Sequence, residues 1–127
     1  MKRVLLVLIL LSLSSNVFAE EEWEYLTKGR SGEASIYINN ESIIKKDEYA
    51  YVWTLIDYIK PNKWGSLSSK TYMQFNCKWY RYKSLYHSYH KEPMAKDHVM
   101  ISSRRGAEWK SLFTQDKRAI IFDRVCS

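Results

Sequence analysis

The chain has 127 residues, room for one small domain. Its 20 Lys and Arg against 14 Asp and Glu give a formal net charge of +6, a balance that suits plain solubility or acidic partners such as glycans, anionic lipid or acidic protein patches. No Gly-rich phosphate loop, G-x-S-x-G elbow or C-x-x-C pair occurs, so the familiar phosphate-loop, α/β-hydrolase and thiol-redox signatures are missing.

The N-terminus has the pattern of an export signal. Lys2 and Arg3 precede an apolar stretch from Val4 to Leu13, and Val17-Phe18-Ala19 suits a signal-peptidase cut. The apolar run is about ten residues, half of what a bilayer-spanning helix needs. Removal of residues 1–19 predicts a mature chain from Glu20, with 18 basic residues against 14 acidic and a net charge of +4. In an oxidising compartment, Cys77 and Cys126, with no third cysteine, are expected to form one disulfide. Closing a loop of about fifty residues is worth roughly 4 kcal/mol in the chain-entropy model.

Aromatic enrichment, with ten tyrosines, five tryptophans and only two prolines, favours strands. Trp23 to Leu26 opens a first strand. Lys28 to Gly32 is a turn, Ala34 to Ile38 a second strand, and Asn39 to Ser42 a further turn, after which Ile43 and Ile44 pack back. Asn40-Glu41-Ser42 also matches a glycosylation sequon, a short and common pattern that turn chemistry explains. Tyr49 to Lys60 alternates Ala50, Val52, Thr54 and Ile56 with Tyr51, Trp53 and Leu55. Both sets are largely apolar, which predicts a central strand covered on both faces. A loop over Pro61–Gly65 follows, then a strand from Ser69 to Cys77. Lys78 to Lys91 continues as strand, and no good turn residue stands at the join. Either the two runs form one long bent strand or a bulge sits there. In the second run, Arg81, Lys83, Leu85, His87 and Tyr89 fall on one face and Tyr80, Tyr82, Ser84, Tyr86 and Ser88 on the other. Val99 to Ser103 is a short edge strand and Arg104-Arg105-Gly106 a turn. The period then changes. Ala119, Phe122 and Cys126, with Ile121 and Val125 beside them, form one apolar helical stripe. Thr114 is placed as its N-cap, with Asp116 in the first turn and Arg124 near the end suiting the dipole. The fold class expected is α+β: a small antiparallel sheet with a C-terminal helix stapled to it by Cys77–Cys126.

No catalytic residue, metal site or cofactor is assigned. His87 and His90 are three apart, and on a strand they point to opposite faces; no acidic or cysteine ligand joins them or His98. Asp57, inside the apolar central strand, is expected to pair with a nearby Arg or Lys. Lys78-Trp79-Tyr80-Arg81-Tyr82-Lys83 interleaves cations with aromatics. The pattern fits a half-buried sheet with solvated cations, and also a surface that stacks on rings or holds anions. Export argues against nucleic acid as the partner.

An ordered set of short segments resembles the surface-adhesin protein E family of Gram-negative bacteria. They are Tyr37-Ile38-Asn39, Ser42-Ile43, Val52 to Tyr58, Ser69-Lys70, Phe75-Asn76-Cys77, Arg81-Tyr82, Leu85 and the closing Val125-Cys126. The resemblance covers nearly all of the mature chain. It implies an exported, non-enzymatic domain that binds host extracellular-matrix or serum proteins such as vitronectin and laminin, and that can form a homodimer. The family's basic binding segment, carried over, implies Lys63, Lys70, Tyr72, Asn76 and Cys77, and onward Lys78 and Arg81. In two respects the chain departs from the pattern. The adhesin carries a lipid on a cysteine, whereas no cysteine stands near residue 19 here, so a periplasmic or secreted location is expected. A basic pair in the loop is replaced by Lys63-Trp64. A periplasmic accessory that binds another envelope protein is the alternative function.

Overall fold

The computed structural model describes residues 22–29, 32–96, 99–103, 108–113 and 116–127. The leader, His98, the turn at 104–106 and Thr114 lie outside the described residues.

Among the described residues eight strands and one α-helix follow in chain order: β1 (Glu24–Lys28), β2 (Ala34–Ile38), β3 (Ile44–Lys46), β4 (Tyr49–Tyr58), β5 (Ser68–Asn76), β6 (Arg81–His90), β7 (Val99–Ser103), β8 (Lys110–Ser111) and α1 (Arg118–Cys126). All pairings are antiparallel, in the order β1-β2-β4-β5-β6-β7. β3 pairs with the start of β4, and β8 with the start of β6. The α+β class expected from the sequence is the class observed, and Val99–Ser103 forms the edge strand beside β6.

The turns follow from local chemistry. Asn39 caps a 3-10 turn at Asn40–Ser42, its side chain accepting from the Glu41 N–H, the use to which short polar side chains are suited. Gly32 has φ of 73°, a conformation open to glycine at little cost.

The join after β5 is neither a long bent strand nor a bulge. It is a hairpin turn over Cys77–Tyr80, made without glycine or proline. Asn76 closes it: its Oδ1 accepts the backbone N–H groups of both Lys78 and Trp79 at 3.0 Å. Tyr80 takes φ of 53°, and its ring stacks on Phe122 with centroids 5.1 Å apart. The Asn76 side chain thus closes the turn, and Tyr80 takes the left-handed conformation that a glycine would adopt at lower cost.

A bulge does occur, eight residues further on. Tyr72 pairs with Tyr86 and Met73 with Ser84, leaving Leu85 as the extra residue in β6. Since side chains alternate with period two, one inserted residue exchanges the faces beyond it. His87 and Tyr89 therefore share a face with Tyr82 and Ser84, while Tyr86 and Ser88 share the other with Arg81 and Lys83. The two faces expected for Lys78–Lys91, a run in which one break was allowed for, exchange at this point.

α1 covers the first of these faces. Ile121, Phe122 and Val125 pack on Ile36, Ile38, Ala50, Val52, Met73 and Phe75. Phe122 meets Phe75 edge-on at 6.0 Å. A helix of nine residues is too short to hold itself together in water, so this packing is its main support. Lys117 occupies the N-cap position of α1, and Asp116 Oδ1 accepts the Arg118 N–H. The disulfide joins Cys77, in the turn after β5, to Cys126 in the last turn of α1, with Cα atoms 5.6 Å apart. Arg124 adds an exposed ion pair to Glu24 of β1 at 2.9 Å.

Candidate partner-binding site

The second face of the sheet carries no α-helix among the described residues; a 3-10 turn at Pro93–Ala95 covers its end at Asp57 and Ser68. The prediction that β4 is covered on both sides therefore holds along the helix side, and on the other side at the Asp57 end. On the second side, the strands roof themselves with aromatic rings. Register places Tyr37 beside Leu55, Leu55 beside Lys70, Trp53 beside Tyr72, and Tyr72 beside Tyr86. Trp53 packs against Tyr72 at 4.9 Å and edge-on to Tyr86 at 5.6 Å, and Tyr51 stacks with Tyr72 at 6.2 Å. Leu55 is fully buried in this layer, while Trp53, Tyr72 and Tyr86 stay partly exposed. Burial, and then the neighbouring Tyr51, raises the pKa of Tyr72 above the usual phenol value, so its hydroxyl is a neutral donor and acceptor at physiological pH.

Cations lie over these rings. The Lys70 ammonium is 5.1 Å from the Trp53 centroid and 6.0 Å from that of Trp23. Lys83 sits 4.6 Å over Trp109, which stacks with Tyr49 at 5.9 Å. Arg81 is exposed and pairs with Asn76, in register with the same face. An ammonium over a ring is held by the ring quadrupole and still presents its charge outward. The face is thus a layer of phenol, indole and ammonium groups. Among the described residues, Asp57 at the far end of β4 is the carboxylate in register with it, and its Oδ1 accepts the Met94 N–H at 2.8 Å. Asp57 therefore closes a backbone turn at Pro93–Ala95, and this backbone bond replaces the Arg or Lys partner expected from the sequence.

The predicted partner-binding residues separate into three places. Lys70 and Tyr72 stand together on the aromatic face, with Arg81 at its end. Lys63 lies in the β4–β5 loop, its ammonium 4.4 Å over Trp64. Lys78 lies in the opposite turn, 5.5 Å over Trp79. β5, nine residues long and so roughly 30 Å at the usual strand rise, runs between those two ends. Asn76 and Cys77 are turn-forming and crosslinking residues. The interleaved Lys78–Lys83 segment is split accordingly: Lys78, Trp79 and Tyr80 belong to the turn and Arg81 to Lys83 to β6. Lys83 belongs to the interleaved cation–aromatic segment named from the sequence, whereas Trp53 and Trp109 carried no binding expectation. The period-two phase of Tyr49–Tyr58 puts Trp53 on a common face with Tyr51, but its neighbours come from strand register.

The histidines are divided as predicted. His87, on the helix side, hydrogen-bonds Thr71 Oγ1 through Nδ1 at 2.6 Å. His90, on the other, is 2.9 Å from the Ser88 hydroxyl through Nε2. Among the described residues no group of three or more His, Cys, Asp or Glu is arranged to hold a metal ion, and no helix is long and apolar enough to cross a membrane.

An antiparallel sheet backed on one side by a short disulfide-bonded helix, and bearing a cation-studded aromatic layer on the other, defines a small α+β domain. The chain belongs to the surface-adhesin protein E family, whose model matches residues 23–127. Its fold is similar to that of protein E of Haemophilus influenzae. One crystal structure of that protein gives a TM-score of 0.61 at 14% identity over 84% of this chain and 88% of that one. A second crystal form gives 0.61 at 14% over 89% and 96%. Protein E from a non-typeable strain gives 0.60 at 15% over 90% and 81%. No curated protein sequence matches this chain significantly.

Proposed function

We propose that this chain is an exported, non-enzymatic adhesin-like domain that binds a protein partner through the aromatic face of its sheet, opposite α1. The observation that carries the reading is the association of Lys70 with Trp53 and Trp23 beside Tyr72. Partly exposed aromatics and cations in a layer poor in carboxylates suit an acidic protein surface, since aromatic and cationic groups are the usual anchors of protein interfaces. Membership of the adhesin family supports host extracellular-matrix or serum proteins, vitronectin or laminin, as the partner class. Removal of residues 1–19 delivers the chain outside the cytosol. Lys63 and Lys78, at opposite ends of β5, extend the contact, and Arg81 flanks it.

The test is binding of residues 20–127 to immobilised vitronectin and laminin, with salt varied. The expected result is saturable binding that weakens with salt and falls at least tenfold in a Lys70→Ala/Tyr72→Ala/Arg81→Ala triple variant. Lys63→Ala and Lys78→Ala are expected to cost less. Absence of binding to both proteins, or full affinity in the triple variant, overturns the reading.

A second reading is a periplasmic accessory that docks on another envelope protein. It is supported by the disulfide, which engages both cysteines of the sequence and leaves neither available to carry a lipid. Fractionation of the native cells distinguishes the two. Recovery in the periplasm with a bacterial protein partner supports the accessory, and recovery at the surface supports the adhesin. Sedimentation of the same material tests the homodimer that the family suggests.

A further inference from the structure

A cleft opens on the opposite side of the molecule, between the sheet and the first turn of α1. It has a volume of about 170 Å³. An apolar cavity of about 150 Å³ is enough to take up benzene, so this one holds a ring or a short chain with room at the mouth. Its floor is hydrocarbon from Ile36, Ile56, Met73 and Ile121. Its polar wall comes from β5 and β6, where Thr71 and His87 are bonded to one another and Ser84 stands beside them. The bulge at Leu85 creates this wall, because it turns His87 onto the same face as Ser84.

The rim is cationic. Lys117 and Arg118 line the cleft, and among the described residues no Asp or Glu does. Arg118 is engaged by Asp116 at 2.8 Å and lies over the Tyr82 ring at 4.7 Å, so Lys117 is the charge that faces a ligand. It stands beside Gly29, where an added Cβ would come within 3.6 Å of the ammonium. A phosphate would find too few donors in so apolar a cleft. A neutral hydrocarbon would leave the Thr71–His87 wall and the Lys117 charge unused. The chemistry that uses all three parts is an apolar body with a single carboxylate.

We propose that this cleft is a binding site for a small apolar carboxylate of about benzoate or hexanoate size. The hydrocarbon lies on Ile36, Ile56, Met73 and Ile121, and the carboxylate meets Lys117 with His87 and Ser84 as further polar contacts. The site is on the helix-covered side, away from the face assigned to the protein partner, and stands whether or not that assignment does.

The experiment uses the disulfide-bonded chain of residues 20–127 and follows methyl and His87 ring signals by NMR. Benzoate, benzyl alcohol and benzylammonium are titrated separately. Benzoate is expected to shift Ile36, Ile56, Met73 and Ile121 methyls and the His87 ring together. Its affinity should be at least fivefold above that of benzyl alcohol, with benzylammonium the weakest. Lys117→Ala, an exposed change that leaves the core intact, is expected to reduce benzoate to the level of the alcohol. Ser84→Phe is expected to fill the cleft and abolish the shifts. Equal affinity for benzoate and benzyl alcohol, unchanged affinity in Lys117→Ala, or shifts scattered over the surface would each overturn the proposal.

Discussion

The two faces of the sheet draw on the same three long strands and are satisfied in different ways. Under α1, β4 and β5 present Ala50, Val52 and Phe75, all 0% exposed, and the helix returns Ile121, Phe122 and Val125. These are hydrocarbon contacts with no polar tip to satisfy. On the other face, the same strands present Tyr51, Trp53 and Tyr72, which bury a ring and keep a hydroxyl or indole N–H near water. Lysines lie over the rings instead of a second helix. One face is closed by a layer of structure and a covalent crosslink, and the other is left as a surface that another molecule can cover. The difference explains how a small domain accommodates so many aromatics: some pack under the helix and others form the open layer.

Substitutions that separate the faces should rank by this difference. The largest loss is expected from Cys77→Ser/Cys126→Ser. It frees a loop spanning 49 residues in sequence and should cost about 4 kcal/mol in the chain-entropy account, read as the fall in denaturant midpoint. Next is Phe122→Ala, under the helix, at about 3 kcal/mol in the same measurement. Trp53→Ala, on the open face, removes two ring contacts worth about 0.5–1.5 kcal/mol each and should destabilise less than Phe122→Ala. A larger loss at Trp53 than at Phe122 would invert the assignment of roof and interface. Lys70→Ala should change stability by less than about 1 kcal/mol while lowering partner affinity, so its effects on folding and on binding diverge.

The smallest effect belongs to pH. Burial lowers the pKa of His87 below its usual value near 6.5. The unfolded chain therefore takes up the proton first as pH falls. Stability is complete above the unfolded value, about 6.5, and declines as pH drops from there through the folded-state pKa. Urea unfolding of the wild type and of His87→Gln between pH 7.5 and 5 checks the sign. A wild type that gains stability over the same fall would refute it.

The strands of this fold were legible because each is dominated by its own pattern. Ala34–Ile38 and Val99–Ser103 carry the bounds expected of them, and Tyr49–Tyr58 ends two residues early. The helical stripe at Ile121, Phe122 and Val125 was legible for the same reason. The hairpin at Cys77–Tyr80 was not, because its turn is made by the Asn76 side chain and a left-handed Tyr80, neither of which has a strong local signature. The missed turn moved Lys78 off the strand, and the missed bulge changed the faces of Tyr86 and His87. Lys70 and Tyr72 were named through the family resemblance, and the period-two alternation of β5 places them on one face. That Trp53 and Lys83 lie on the same face depends on pairing across strands.

Composition and periodicity by themselves determined that this chain is strand-rich, ends in a short amphipathic helix and contains a single pair of cysteines to join. Those are local or whole-chain properties, fixed by which side chains recur and how often. Tertiary structure decided which rings gather, where the cations lie over them and that a cleft opens beside α1. Each depends on register between distant segments, and in a β-sheet a shift of one residue sends a side chain to the opposite face.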